Sequence, residues 1–450
     1  MQYLSTRGRV DGRGFADVLI EGMATDGGLY VPDHLPTLRP LGDDYAENVA
    51  TVVEPFVAPD PLASDLGEIM ETVYGAFRHA EVAPLREMGG DRYLLELFWG
   101  PTLSFKDYAL QLLGELFDRV LSRRGERLLV LGATSGDTGS AAIEACRGRQ
   151  GIDIVILYPD GAVSEVQRRQ MTTVPDANVV TVAVEGSFDD CQRLVKAAFA
   201  SFRGRFPLGA INSINWARIM AQSAYYAHTA GRVGQPVDFV VPTGNFGNVL
   251  AGHIARRMGA PISRLTVANN ANRGLTDLIQ GGTLKVGTVT PTVAPAMDIQ
   301  VPSNLERYLF DVLDGDGDAV RALQDQLASE GQIDLPQRVT SRLADDFTAA
   351  WLADVEAIDV IRRVHDETGV VIDPHTAVAW GAAERQSSNR PTVIVSTAHP
   401  AKFAEVVETA VGQAPQLPDD VAGIMTAPER ITRLEPDLDD LGGLLDSIVG

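Results

Sequence analysis

Short apolar strands alternating with helical stretches constrain this chain more than any other feature. Leu128-Leu129-Val130-Leu131 is an unbroken apolar run of strand length, and a helical pattern over 140–147 follows it. A strand at 153–158, a helix at 164–171, a strand at 178–184 and a helix at 189–202 continue the series. The theme returns with a strand at 237–241, a helix at 248–258 and strands at 265–268 and 392–396. Apolar runs without polar alternation are strands covered on both faces, and parallel strands need helical crossovers between them. The expected fold is therefore α/β, with parallel sheets in two lobes and a cleft between them.

Residues 1–95 mix short helical patterns with proline turns and are expected to pack on the core as an N-terminal segment. Residues 96–230 are read as a smaller α/β lobe. Residues 231–450 are read as a larger one, with a mainly helical insertion over about 305–365. The acidic stretch Leu434-Glu435-Pro436-Asp437-Leu438-Asp439-Asp440 is expected to be a solvated tail.

Charge narrows the function. Lysine and arginine number 38 against 60 acidic residues, giving a formal charge of −22. Such a surface repels nucleic acid and anionic membranes, so neither is an expected partner. An anionic substrate would need a locally basic pocket. No window reaches the about 18 apolar residues of a membrane span, and Met1 to Val10 shows no signal-peptide pattern. Cys146 and Cys191 have no metal-type spacing, no histidine pair has ligand spacing, and a cytoplasmic protein without a metal is expected.

Lys106 opens a helical pattern in which Leu110, Leu113, Phe117, Val120 and Leu121 recur at three- and four-residue spacing. Ser104 and Asp107 read as a weak capping box around that start. An ammonium ion in a first helical turn faces the positive end of the peptide dipole. Apolar Leu103 and Phe105 would desolvate it, which moves its pKa in the same direction. A neutral lysine is what Schiff-base chemistry with an aldehyde requires. The stretch by itself equally fits an ordinary solvated lysine at a helix start.

Four further loops have ligand chemistry. Thr243-Gly244-Asn245-Phe246-Gly247-Asn248 lies between strand and helix, where glycines allow close backbone approach and free amides favour an anion. It lacks the lysine of a P-loop and is not a dinucleotide fingerprint. Thr134-Ser135-Gly136-Asp137-Thr138-Gly139 has the same setting and suits a carboxylate or phosphate, though a capped glycine turn would read the same way. Asn212, Ser213, Asn215 and Arg218 offer donors and a guanidinium that match a tetrahedral dianion, or a plain helix cap beside a surface arginine. Thr397 follows the last strand at the edge where doubly wound sheets bind ligands. His399 and His375 are read as structural histidines.

Taken together these motifs resemble the threonine synthase family, in the longer branch found in many bacteria and in fungi. Tyr3-Leu4-Ser5-Thr6-Arg7 and the stretch from Glu21 to Pro32 are similar to that branch's opening. The segments around Lys106, Thr134, Asn245, Asp373-Pro374-His375-Thr376-Ala377 and Thr397 to Phe403 are similar to its internal motifs. The resemblance implies the fold type II of pyridoxal-5′-phosphate enzymes, shared with the tryptophan synthase β-subunit. It implies that O-phospho-L-homoserine and water become L-threonine and phosphate. Lys106 would carry the cofactor and then move the Cα proton. Gly244, Asn245, Phe246, Gly247 and Asn248 would hold the cofactor phosphate, and Thr397 would face the pyridine nitrogen. Thr134, Ser135, Asp137 and Thr138 would take the substrate's carboxylate end, and Asn212, Ser213 and Arg218 its phosphate. Related enzymes often have asparagine where this chain has Asp137, beside the cofactor's phenolate oxygen; Asn215 is the expected substitute donor. A monomer or homodimer is expected. The alternative is a related phospho-lyase or dehydratase that releases a 2-keto acid.

Overall fold

The computed structural model describes residues 1–450 except 11, 203 and 450. Two main sheets grow out of the apolar runs. The larger has six strands in the order Phe347–Trp351, Ile262–Asn269, Val237–Pro242, Thr392–Ser396, Arg92–Glu96 and Leu85–Gly89. Its neighbours are parallel except the edge pair Arg92–Glu96 with Leu85–Gly89. The smaller sheet is parallel throughout, in the order Thr432–Leu434, Val179–Val184, Ile152–Pro159, Leu128–Ala133 and Leu208–Gly209.

The two-residue side-chain period explains why these strands are continuously apolar. Leu128 and Val130 enter the main core, whereas Leu129 and Leu131 enter a second layer with Cys191, Leu194, Leu441 and Leu445. In the larger sheet Val393 and Val395 face the main core, while Ile394 faces a layer with Val360, Ile361 and Trp380. Full burial of each such aliphatic side chain stabilises the fold by ~1.5–3 kcal/mol. The main core is one continuous cluster with residues from both sheets, Val130 and Ile154 on one side and Phe239 and Val267 on the other.

Helix Trp216–Val233 is buried along nearly its whole length. It packs against Gly247–Met258, Tyr45–Val57 and Lys106–Arg124, so the lysine helix and the Gly247 helix are fixed against a common element. The N-terminal segment is stapled on by Arg7, which pairs with Glu306 at 3.1 Å, and by Thr6, whose hydroxyl donates to the same carboxylate at 2.6 Å.

Several expectations need correction. The sheets do not follow a division of the chain at residues 95 and 230. Leu85–Gly89 and Arg92–Glu96 belong to the larger sheet, and Thr432–Leu434 crosses back to the smaller one. The stretch 305–365 is mainly helical but includes Phe347–Trp351, an edge strand of the larger sheet. The acidic tail is a docked element: helix Leu438–Val449 buries Leu441 and Leu445 and leaves Asp439 and Asp440 in solvent. No capping box forms at Ser104. Asp107 turns instead to Thr102, accepting from its N–H at 2.8 Å and its hydroxyl at 2.7 Å. Among the described residues no helix is long and apolar enough to cross a membrane.

Candidate active site

All the ligand-type loops leave carboxyl ends of parallel strands. The segment after Arg92–Glu96 runs on to Lys106, the Gly244 turn follows Val237–Pro242, the Thr134 turn closes Leu128–Ala133, and Thr397 follows Thr392–Ser396. Main-chain bonds join two of them. Leu97 N–H donates to the Ser396 carbonyl at 2.9 Å, Phe105 N–H to that of Thr397 at 2.8 Å, and His399 N–H to that of Leu103 at 3.0 Å. Leu103, fully buried, is held at φ 64°, a left-handed conformation that a branched side chain adopts only when its surroundings impose it. This strained turn delivers Lys106 to the first position of its helix.

The Lys106 side chain is 9% exposed, and its Nζ donates to Asp137 Oδ2 at 3.0 Å. Burial pushes its pKa down. Asp137 opposes that, while the positive charges of Lys402 and Arg218 add to it. The aromatic ring of Phe105 lies 4.7 Å from Nζ. Asp137 begins the next helix and is also buried. Its Oδ1 is 2.9 Å from Lys402 Nζ and accepts from Gln167 Nε2 at 2.9 Å. Burial alone would raise its pKa, but Lys106, Lys402 and Gln167 hold it well below the carboxylate range. Gly136 has φ 137°, and a Cβ there would lie 2.4 Å from the Gln167 amide, so glycine is what lets Gln167 reach Asp137.

Asp137 is therefore an acceptor fully engaged with cations. Its side chain has no donor for a substrate carboxylate, and only the main-chain N–H at the helix start can serve there. Thr134 is likewise internal: its hydroxyl accepts from Gly136 N–H at 3.0 Å and Gly139 N–H at 2.8 Å, which shapes the turn. Ser135 and Thr138 are half-buried beside it. Asn215 is not a free donor. Its Nδ2 bonds the Leu19 carbonyl at 2.9 Å and its Oδ1 caps the helix at Ala217 N–H. Asn212 lies at the surface in a turn closed by Ile214 N–H at 3.1 Å.

Arg218 is the exceptional cation. It is 3% exposed, its Nη1 reaches only the Ile211 carbonyl at 3.2 Å, and its Nε has no partner. Burial depresses its pKa to about 10, and no carboxylate stands beside it among the described residues. A buried guanidinium with an idle donor is costly unless an anion completes it.

The Gly244 turn supplies a second anion cradle. Among the described residues the amides of Gly244, Asn245 and Phe246 make no hydrogen bond, and the first amides of helix Gly247–Met258 are free as at any helix start. Asn248 Oδ1 accepts from Tyr226 at 2.8 Å and also from Tyr225, while its buried Nδ2 is unpartnered. Asn304 Nδ2 joins this turn to the Arg218 segment, bonding the Ser213 carbonyl at 3.0 Å and that of Asn245 at 3.3 Å. A Cβ on Gly244 would lie 2.5 Å from the Ala296 carbonyl oxygen. Gly244→Ala is accordingly expected to displace the turn and weaken binding of a phosphate-bearing ligand by about tenfold or more, about 1.4 kcal/mol, readable by equilibrium dialysis.

Both histidines are structural. His375 lies 2.8 Å from Asp373 through Nδ1, and its Nε2 accepts from Ala296 N–H at 3.2 Å, which fixes the turn facing Gly244. His399 caps the short helix Pro400–Phe403, and burial lowers its pKa to about 4, so it is neutral at physiological pH. Among the described residues no cluster of His, Cys, Asp and Glu could hold a metal.

Burial also raises Asp107, to about 6, against the bonds from Thr102 and the charge of Lys402. The native state then binds this proton more tightly than the unfolded chain, so stability from this group is present at acidic pH and lost as pH rises through about 6. Asp107→Asn should become more stable relative to the parent between pH 5 and 8, by up to ~3 kcal/mol. Melting temperatures of the two proteins across that range check this.

An amine biased toward its neutral form, between two glycine-turn anion sites at strand carboxyl ends, is what an aldehyde cofactor bearing a phosphate requires. The fold and site thus define a pyridoxal-phosphate-dependent enzyme of fold type II, and residues 81–338 match the family described as pyridoxal-phosphate dependent enzyme. Residues 2–74 match the threonine synthase N terminus and residues 376–443 the threonine synthase C-terminal family. A threonine synthase of Pseudomonas aeruginosa is 48% identical, over 97% of this chain and 96% of that protein. The crystal structure of pyridoxal-phosphate-bound threonine synthase from Brucella melitensis superposes with a TM-score of 0.96 at 42% identity, covering 100% of this chain and 99% of that one. That of threonine synthase from yeast gives 0.93 at 34% identity, covering 100% and 98%. The chain belongs to the threonine synthase family.

Lys402, Gln167, Asn304 and Asp107 complete the site and were not singled out from the sequence. A signal for Lys402 was present. The chain has only four lysines, Lys106, Lys196, Lys285 and Lys402, with every other basic residue arginine or histidine. Two of the four are exposed and the other two meet at Asp137.

Proposed function

We propose that the chain converts O-phospho-L-homoserine and water into L-threonine and phosphate, with Lys106 as the cofactor's anchor and the base that moves the Cα proton. The residues fit the cofactor: the free amides of Gly244, Asn245, Phe246 and Gly247 and the idle Nδ2 of Asn248 are donors for its phosphate, with Thr397 toward the pyridine ring. Bound there, pyridoxal phosphate supplies an electron sink for charge formed at Cα. Lys106, desolvated and biased to the neutral amine, accepts the Cα proton and returns it at the end of the cycle. Arg218, assisted by the Ser213 segment, holds the substrate phosphate and steadies it as it leaves. The main-chain amides of the turn through Ser135, Asp137 and Thr138 take the substrate carboxylate. Asn215 and Thr134 shape their loops, and Asn212 lies at the rim.

The observation that carries this reading is the buried, uncompensated Arg218 acting on a buried Lys106 in a protein of charge −22. An acidic protein places bare cations in its interior where anions must bind. The same charge disfavours nucleic acid as a partner. Cys146 and Cys191, both buried free thiols, fit a reducing compartment, and we place the enzyme in the cytoplasm as a monomer or homodimer.

The test supplies purified protein with pyridoxal phosphate and O-phosphohomoserine and quantifies threonine, inorganic phosphate and 2-oxobutyrate. Threonine and phosphate in equal amounts are expected. Accumulation of 2-oxobutyrate without threonine would overturn the reading in favour of a keto-acid-releasing lyase.

A further inference from the structure

Three cationic side chains, Lys106, Lys402 and Arg218, are buried around Asp137, and only one of them can be balanced by that carboxylate. The geometry distinguishes the two lysines. Lys402 is 0% exposed and has two acceptors, Asp137 Oδ1 at 2.9 Å and the Thr102 carbonyl at 2.7 Å. Lys106 has one, Asp137 Oδ2 at 3.0 Å. Each added acceptor favours the ammonium form, so the proton stays on Lys402. Lys402 is in turn fixed from both ends. Thr102 is held by Asp107, and residue 402 lies in the short helix that His399 caps.

We propose that Lys402 is a positioning residue for the anchoring amine: it keeps Asp137 matched to a cation, so that Lys106 is the amine released in neutral form. The inference rests on the reading of Lys106 as the cofactor's anchor and adds how this chain prepares it. The arrangement also accounts for a carboxylate at a loop position where an asparagine was expected. With Lys106 engaged by the cofactor, Asp137 retains Lys402 and Gln167, and the carboxylate remains compensated beside the cofactor's own negative charge. The other charged groups facing this cluster are Arg218 toward Lys106, and Asp107 and His399 toward Lys402. Arg218 adds to the bias, Asp107 favours the Lys402 ammonium, and neutral His399 leaves it unaltered.

The small number of lysines makes the test direct. In the full chain freed of cofactor and labelled with carbon-13 at lysine Cε, four signals report the four ammonium groups, and Lys106→Arg assigns the critical one. In the unaltered chain the Lys106 signal should titrate at lower pH than those of Lys196, Lys285 and Lys402. In Lys402→Met the Lys106 midpoint should rise by about one pH unit, leaving about tenfold less neutral amine at fixed pH and slowing cofactor capture by a similar factor. Lys402→Arg should stay near the parent value. A Lys402 signal that titrates before Lys106, or a Lys106 midpoint that is unmoved or lowered in folded Lys402→Met, would overturn the proposal. The first of these criteria needs no variant, so it stands even if Lys402→Met does not fold. If the unaltered chain fails to capture pyridoxal phosphate at all, the functional reading fails instead; if it captures normally but Lys402 titrates first, only this inference does.

Discussion

Lys106→Ala is expected to lose threonine formation by about 10³-fold or more while retaining the fold. Proton transfer by a positioned side chain alone contributes about 10²–10⁴-fold, and the variant also loses the covalent anchor. Removing one member of a buried ion pair usually destabilises a protein by about 3–5 kcal/mol, because the other charge is stranded. Here it is not stranded: Asp137 keeps Lys402 and Gln167, each at 2.9 Å. Stability should therefore change by no more than about 1–2 kcal/mol, within the usual range for single substitutions. Steady-state kinetics beside a thermal melt separates the two effects. A large drop in melting temperature would mean that Lys106, not Lys402, is the principal partner of Asp137.

Arg218→Met should move affinity and stability in opposite directions. The guanidinium has one weak carbonyl contact, an idle Nε and no carboxylate. Replacing it with an apolar side chain of similar length removes a desolvated charge, so the cofactor- and substrate-free protein should melt no lower than the parent. With substrate the same change removes the anion's partner, which costs about 2–5 kcal/mol for a buried charge pair. That is a loss of at least about 30-fold in kcat/KM for O-phosphohomoserine, at 1.4 kcal/mol per tenfold. Lys at this position should recover part of the loss, because it restores the charge without the forked donor. Equal losses of stability and catalysis would instead mark Arg218 as part of the scaffold.

The large features of the fold were legible because both faces of each central strand are covered. Burial on both sides turns Leu128 to Leu131, Ile154 to Tyr158 and Val393 to Val395 into apolar runs that need no tertiary information to read. Strands that broke the rule escaped notice. Leu85–Gly89 is an edge strand with two exposed residues in succession, Arg86 and Glu87. Phe347–Trp351 has its other four residues only half-buried after Phe347, and it sits among helices. At the site, glycine turns and Lys106 were readable because backbone approach and Schiff-base chemistry admit few residue types. Side-chain commitments were not. Nothing local distinguishes Asn215, consumed by a carbonyl 196 residues away at Leu19, from a free amide. Likewise Asp137 becomes a compensated anion only when Lys402 arrives from the far end of the chain.

The central claim, that Lys106 is the amine holding the cofactor, has one direct measurement. Borohydride reduction of the pyridoxal-phosphate-loaded protein fixes the cofactor on whichever of the four lysines bears it, and peptide mass spectrometry reads the position. The modified peptide should be the one containing Lys106. The added mass on the Lys402, Lys196 or Lys285 peptide, or on none of them, would contradict the account.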